Sequence, residues 1–353
     1  MLDDGGALEY NEAIRNIYNN TMDSGEENLN FHYIEQSGVY EGFCLVKSVT
    51  VRKTSKGSTF LDLILADRSG ELGAKLWDYR EEIHGVIAVN DLIKVRGPIS
   101  PFNGEDQMRV DRIRKAEAED GLRLEDFIPC APESGEQMLE QIRQVVAAFR
   151  DEDLKKLVGT ILRDHEERLL FYPAAFKLHH AIRGGLLYHT LSILRMAQMV
   201  CAQYPFVDAD LLYSGVILHD IGKVYEFDAD GTGIAEKYTL EGNLVGHIAR
   251  GAGIVHDTAE RLGADRETAL LLEHMILSHH GTPEYGAVQY PAFLEAEILS
   301  ELDMLDARIY EISHTVSAVP KGEFTQRQWA LDNRRLYNHG RMDRPPEAAL
   351  SEE

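Results

Sequence analysis

Histidine is spread unevenly: twelve of the fourteen lie between His165 and His339, and only His32 and His84 precede them. Set on helices of about 3.6 residues per turn, several face inward. His189 shares a face with Ile193, Met196 and Val200, His219 with Leu212 and Val216, and His247 with Leu244, Gly251 and Ile254. His256 is half a turn out of phase with His247 and should face solvent. The pair His219-Asp220 closes one helical stretch before Gly222, and His279-His280 closes another before Gly281, where adjacent residues can turn toward one centre. A lone inward histidine is usually a packed, hydrogen-bonded core residue. Imidazoles from several helices, together with an inward Asp220, are costly to bury unless something pairs or binds them. Neutral imidazole with carboxylate is the donor set of borderline divalent metals. Cys44, Cys130 and Cys201 lie far apart with no CxxC pair, which argues against a cysteine-built zinc site and a disulfide scaffold and makes the cytoplasm the expected location.

The elements that must hold these side chains read as helices. Ser134 with Gln137 forms a capping-box start, and Leu154, Leu157, Val158, Ile161 and Leu162 fall at i, i+3, i+4, i+7 and i+8. Further helices are expected at Gly185–Tyr204, Ala209–Asp220, Leu240–Leu262, Glu267–His280 and Ala292–Thr315. Upstream, the period changes to two. Leu61, Leu63 and Leu65 alternate, Asp67 to Gly70 supply a turn, and Leu72, Ala74 and Leu76 alternate again, a β-hairpin. A helix over Tyr79–Ala88 and strands over Leu92–Ile99 and Met108–Lys115 complete a set that suits a small Greek-key barrel of the OB type. The expected fold class is α+β and multidomain. An acidic arm spans 1–30, an OB-type β-barrel 31–117, a linker 118–134, an all-α domain 135–320 and a C-terminal extension 321–353.

With 44% apolar and 27% charged residues over 353 positions, the composition is that of a globular chain. No stretch approaches the roughly 20 apolar residues of a membrane span, and Met1–Asn30 is acidic where a signal peptide is basic. No membrane partner and no export are expected. A net charge of −23 would repel a polyanion if it were uniform. However, Phe43–Ala116 holds 13 Lys and Arg against 10 Asp and Glu, a local +3 that leaves −26 elsewhere. A barrel with mild positive charge and exposed rings suits single-stranded RNA or DNA, whose bases stack on aromatic faces while cations follow the backbone. The candidates are Phe60, Trp77, Tyr79 and Phe102, with Lys47, Arg52, Lys53, Lys56, Lys94 and Arg96. The alternative is that Phe60 and Trp77 are barrel core or domain interface and that the lysines only solvate strands.

His189, His219-Asp220 within LHDIGK, His247, His279-His280 within SHHG and Asp303 within LDMLDAR follow the order H…HD…H…HH…D. Across Pro173–Ile312 the chain thus resembles the HD-domain metal-dependent phosphohydrolases. The phrases PAAFKLHHAIRGGLLYHT, YTLEGNLVGHI, LSHHG and ALDNRRLY, with the OB-like segment in front, resemble the YhaM-type 3′-to-5′ exoribonucleases in particular, over about 300 residues. The resemblance implies that His189, His219, Asp220 and Asp303 hold one metal and His247, His279 and His280 a second, with Asp220 able to bridge. Asp306, one turn after Asp303, is the alternative ligand at that position. His179 and His180 belong to the shared phrase and would line the pocket. Manganese is the ion the resemblance implies, and donors without thiolate also permit iron, cobalt or zinc.

Two cations about 3.5–4 Å apart that share a water lower its pKa from about 15.7 toward neutrality, which makes hydroxide available to attack phosphorus. Lys223 could bind a phosphate oxygen as a point charge, or it is a solvated lysine after a helix end. The leading expectation is therefore a metal-dependent single-strand exoribonuclease that releases nucleoside monophosphates. Its 3′-to-5′ direction and its preference for RNA come only from the resemblance. An HD phosphohydrolase acting on a nucleotide or cyclic nucleotide is the second reading. A non-enzymatic nucleic-acid-binding protein with a structural metal is the third, disfavoured because seven donor residues exceed the roughly four of a closed structural site.

Overall fold

The computed structural model describes residues 38–67, 70–102, 104–175, 182–229 and 232–342. The acidic arm, His179, His180 and the residues from Asp343 onward lie outside them. The described chain divides into two compact units, with the main boundary between Pro129 and Cys130.

The first unit is built from β1 (Val39–Lys53), β2 (Thr59–Asp67), β3 (Gly70–Leu76), the short helix α1 (Glu81–His84), β4 (Leu92–Phe102), β5 (Glu105–Arg109) and β6 (Arg112–Lys115). Alternation decides its inside. Leu61, Leu63 and Leu65 pair with Leu76, Ala74 and Leu72, so all six point to one face, and all six are buried. β1 is long enough to serve two neighbours: Val39–Leu45 pairs with β4 and Leu45–Lys53 with β2, with a register slip between Val46 and Ser48. β3 and β5 pair in parallel, and β5 pairs antiparallel with β4, so the pairings run β1-β2-β3-β5-β4 and back to β1. This is the ring order of an OB-type barrel. At Gly97 a Cβ would lie 2.1 Å from the Arg109 carbonyl, so the approach of β4 to the end of β5 requires glycine.

Two local expectations are corrected. The helix over Tyr79–Ala88 is a single turn, α1, which buries no residue and stops at Gly85 (φ 72°). The chain there is held by Ile87, which is buried. The strand over Met108–Lys115 is two strands. Ile99 faces Met108 while Arg96 faces Arg112, so one extra residue lies between the pairs, a bulge that separates β5 from β6.

The second unit holds α2 (Gly135–Ala147), α3 (Glu152–Asp164), α4 (Glu166–Leu169), α5 (Gly185–Gln203), α6 (Ala209–Leu218) and α7 (Lys223–Glu226). The β7–β8 hairpin follows (Phe227–Ala229 and Ala235–Tyr238), then α8 (Leu240–Leu244), α9 (Gly246–Leu262), α10 (Arg266–Ser278) and α11 (Leu294–Ser317). The capping box forms: Gln137 N donates to Ser134 Oγ, and Ser134 N donates to Gln137 Oε1. Leu157, Val158, Ile161, Ile193, Leu212, Val216, Val255, Leu272, Met275 and Leu299 belong to one continuous core. The single helix expected over Leu240–Leu262 is two, because Gly246 takes φ 74°. The break places His247 in the first turn of α9, where its N–H donates to Glu226 Oε1 at 3.3 Å. No helix among the described residues is long and apolar enough to cross a membrane.

Candidate metal centre

Asp220 is the pivot of the histidine cluster. His219 caps α6 in helical geometry, and the next turn closes with Lys223 N donating to Asp220 O at 2.9 Å. Gly222 decides how close that turn comes to α9: a Cβ there would stand 2.0 Å from the His247 carbonyl oxygen, so any side chain would push His247 away from Asp220. The two carboxylate oxygens then face different histidines. Oδ2 lies 3.2 Å from His219 Nε2 and 3.7 Å from His189 Nε2; Oδ1 lies 3.6 Å from His247 Nε2 and 3.7 Å from His279 Nε2. Asp303, on α11, brings Oδ1 to 3.1 Å from His189 Nε2 and 3.9 Å from His219 Nε2. The His280 ring centroid is 4.3 Å from that of His279 and 5.4 Å from that of His247. Ligand atoms of His189, His219 and Asp220 lie within 4.8 Å of one another, as do those of His247, His279 and His280.

The outer edge of each ring is tied down. Nδ1 donates to Val216 O in His219 (2.8 Å), to Ile276 O in His279 (2.7 Å) and to Tyr285 O in His280 (2.8 Å). A carbonyl can only accept, so Nδ1 carries the proton and Nε2 of the neutral ring is a bare lone pair. His247 Nδ1 meets Glu226 Oε1 at 3.0 Å, and His189 Nδ1 meets Asp306 Oδ2 at 2.8 Å. Asp306 also accepts from Ser192 Oγ. All of these Nε2 atoms therefore belong to the inner edges, and three buried atoms there, Asp220 Oδ1, His247 Nε2 and His279 Nε2, have no hydrogen-bond partner among the described residues. Buried orphans are expensive. Acceptor atoms facing one another at 3.6–3.7 Å cannot satisfy each other, and a cation among them would. The donor set fits a divalent metal.

Electrostatics agree with this. Burial, with His280 and His219 nearby, pushes the His279 pKa well below its usual value, and burial beside His247 lowers that of His280. Burial alone would raise the Asp220 carboxyl, but Lys223 and His219 hold it well below the usual range. Burial would likewise depress His189, yet hydrogen bonds to Asp303 and Asp306 raise it to about 10. Lys223 is not solvated: it is buried, with Nζ 2.7 Å from Asp220 Oδ2, and Asp220 outweighs its burial to raise its pKa. Asp306 stands behind His189, on the Nδ1 side of the ring, so it is not placed beside Asp220 as the alternative ligand would be. Sequence reasoning missed Glu226 altogether, since nothing local links it to His247. His256 is exposed, against Glu273 at 3.2 Å.

On the barrel, Phe60 is buried, its ring stacked on Trp77 at 4.7 Å, so it is no free platform. Trp77 and Phe102 are exposed. Tyr79 is partly buried, its hydroxyl donating to Gly85 O at 2.9 Å. Among the cations, Arg52 pairs with Asp62 at 3.1 Å and Arg96 with Glu41 at 3.5 Å. Lys53 and Lys56 are exposed, and Lys47 is partly so. Lys94 lies 5.3 Å from the Phe43 ring centroid. The sequence reading passed over Lys75, whose Nζ is 5.9 Å from the rings of Phe60 and Trp77 and 5.7 Å from that of Phe102. Its register opposite Asp62, two places from Phe60, was the available signal.

Residues 186–308, which hold every member of the cluster, match the HD domain family. A 3′-5′ exoribonuclease YhaM of Geobacillus sp. (strain WCH70) is 41% identical over 303 residues, 86% of this chain and 92% of that protein. The 3′-5′ exoribonuclease YhaM of Listeria monocytogenes serotype 4b (strain CLIP80459) is 39% identical over 296 residues, 84% and 94% of the two chains. The solution structure of the second OB-fold domain of replication protein A from Methanococcus maripaludis aligns with 27% of this chain and 96% of that one, at 19% identity and a TM-score of 0.19. With that identity and coverage to its relatives, the chain belongs to the YhaM family of 3′-5′ exoribonucleases.

Proposed function

We propose that the protein is a metal-dependent exoribonuclease that shortens single-stranded RNA from its 3′ end and releases nucleoside monophosphates. The observation that carries the reading is the divided Asp220 carboxylate, one oxygen toward His189 and His219 and the other toward the orphaned Nε2 atoms of His247 and His279. His189, His219, Asp220 and Asp303 would hold one divalent cation, and His247, His279 and His280 a second, with Asp220 shared. Such ions supply a nucleophile from water at neutral pH and neutralise phosphate oxygens. Manganese is the favoured pair, with iron, cobalt or zinc compatible with the nitrogen and oxygen donors.

The chain's own groups prepare the site. Asp306 and Glu226 fix the rings of His189 and His247, which leaves Nε2 directed inward. Lys223 holds Asp220 in place and offsets one of the carboxylates crowded there, so its amine positions Asp220 rather than reaching for phosphate. Four carboxylates (Asp220, Asp303, Asp306 and Glu226) against one lysine make a site that draws dications and would repel a phosphate without them. The barrel's exposed Trp77 and Phe102, with Lys75 between them, offer stacking and charge to a single strand. RNA and the 3′-to-5′ direction follow from the names of the relatives. Three free cysteines suit a cytoplasmic protein.

A 5′-labelled single-stranded RNA incubated with manganese should give a descending ladder, and a 3′-labelled one should release labelled mononucleotide at once. Shortening of neither strand, or a mononucleotide panel turned over faster than RNA, would reject the exonuclease.

A further inference from the structure

After α11 the chain does not simply trail off. Lys321–Met342 folds back on itself, with Phe324 bridged to Tyr337 and Gln328 to Arg334 in antiparallel fashion, and a turn at the tip where Asp332 and Asn333 take φ 57° and 55°. The ribbon has two faces. Thr325 and Leu331 are buried, and Asn338 Nδ2 donates to Val316 O at 3.3 Å, which fastens the base to the last turn of α11. Phe324, Gln326, Arg335 and Tyr337 lie on the outer face, all exposed, and Trp329 projects at the tip with 73% of its surface accessible.

That outer face is unlike a solvated ribbon. Phe324 and Tyr337 rings pack at 5.0 Å, and the Arg335 guanidinium lies 5.2 Å from the Phe324 centroid. Within Lys321–Met342 five Lys and Arg stand against two Asp and Glu, in a chain whose net charge is −23. Arg334 approaches Asp332 at 3.6 Å, while Lys321, Arg327, Arg335 and Arg341 pair with no carboxylate among the described residues. Exposed rings interleaved with unneutralised guanidinium groups match the two needs of a single strand, a face for bases and cations for phosphates. Asp303 and Ser317 share α11, so at about 1.5 Å per residue the ribbon begins roughly 21 Å along the helix axis from the metal cluster.

We propose that this ribbon is a second contact surface for single-stranded RNA, used by the part of the substrate that lies outside the catalytic pocket. The proposal rests on the exoribonuclease reading above and adds to it a surface within the catalytic unit. Its test is binding to a fluorescein-labelled 20-nucleotide RNA without added metal, compared with a four-nucleotide RNA, for the full chain and for Trp329→Ala and Arg327→Gln/Arg335→Gln. The 20-mer should bind about 10-fold more weakly to each variant, with a shallower salt dependence for the arginine pair. Ultraviolet irradiation of the wild-type complex should cross-link RNA to a peptide containing Trp329 or Tyr337. Unchanged affinity for the 20-mer in both variants, with no cross-link in the ribbon, overturns the proposal. So does a fall in sedimenting mass of the variants at unaltered RNA affinity, which would make the face a contact between copies of the chain. The RNA-shortening assay on the wild-type chain is read separately: a wild-type chain that binds RNA through the ribbon and never hydrolyses it removes the catalytic reading and leaves the surface.

Discussion

The barrel and the helical unit place their polar groups in opposite ways. Inside the barrel most side chains are apolar, with Leu61, Leu63, Leu65, Ile93, Val95 and Met108 all at or below 2% exposure and Asp67 a buried carboxylate, while its cations lie outside, Arg52 and Arg96 paired across strands and Lys75 resting on rings. The helical unit buries His189, His219, Asp220, Lys223, His279 and Asp306 within its core. The proposed functions account for the difference. A groove for nucleic acid would need charge at high dielectric where the strand can come and go, whereas a metal cage would need donors that are desolvated and fixed. Burying donors is tolerable only where each has a counterpart, and Asp220 Oδ1, His247 Nε2 and His279 Nε2, which have none among the described residues, face the middle of the cage.

The sharpest way to break this contrast is Asp220→Ala. Manganese-dependent RNA hydrolysis should fall by about a thousandfold or more, because both histidine groups lose the carboxylate they share. Lys223 is then a buried charge without its anion, and calorimetry should show a loss of about 3 kcal/mol. RNA affinity in the absence of metal should be unaltered, and a parallel loss of binding would mean that the buried cluster itself holds the strand.

If His189 is a ligand as proposed, protons and metal compete for its Nε2. With the pKa of that ring raised to about 10, metal uptake at neutral pH displaces one proton. Apparent manganese affinity should therefore rise about tenfold per pH unit between pH 7 and 9. His279 and His280, lowered from the usual 6.5, add no proton over that window. Titration calorimetry in buffers of different ionisation enthalpy measures the proton directly, and a flat profile would place His189 outside the metal's reach.

Asp306→Asn keeps the shape and removes the charge behind His189. Manganese affinity should drop about 10- to 100-fold, with RNA binding intact. The smallest effects belong to the barrel: Trp77→Ala should weaken binding of a single-stranded RNA about tenfold, and Arg52→Gln less than twofold, since Asp62 already engages that guanidinium. An Arg52→Gln effect equal to that of Trp77→Ala would mean that the cations carry as much of the grip as the ring.

Much of this was legible before any coordinates. The 3.6-residue period oriented His189 inward and His256 outward and grouped His247 with Gly251 and Ile254, because on a helix spacing alone assigns a face, whereas Leu244, read onto the same face, lies beyond the break at Gly246 and is exposed. Period two did the same for Leu61 to Leu76. The helix over Tyr79–Ala88 had a suitable pattern but no surface on which to bury it. The strand over Met108–Lys115 has apolar residues at 108, 110 and 113, a slip of the period-two phase that was passed over, and the break is the change of register against β4. Phe60 read as an available ring because nothing within β2 announces that Trp77 will cover it.

Residue order by itself settled which side chains face inward, where the helices carrying them stop, and that imidazole and carboxylate would have to share a buried space. Only the tertiary structure decided how that space is wired: Asp306 reaching His189 across 117 positions, Glu226 reaching His247, and Asp220 turned so that its two oxygens serve different histidines. The reason is one of range. Backbone periodicity fixes direction within an element, while a hydrogen bond between elements depends on where independent helices come to rest against one another, as Gly222 does in letting α9 close upon the turn after α6.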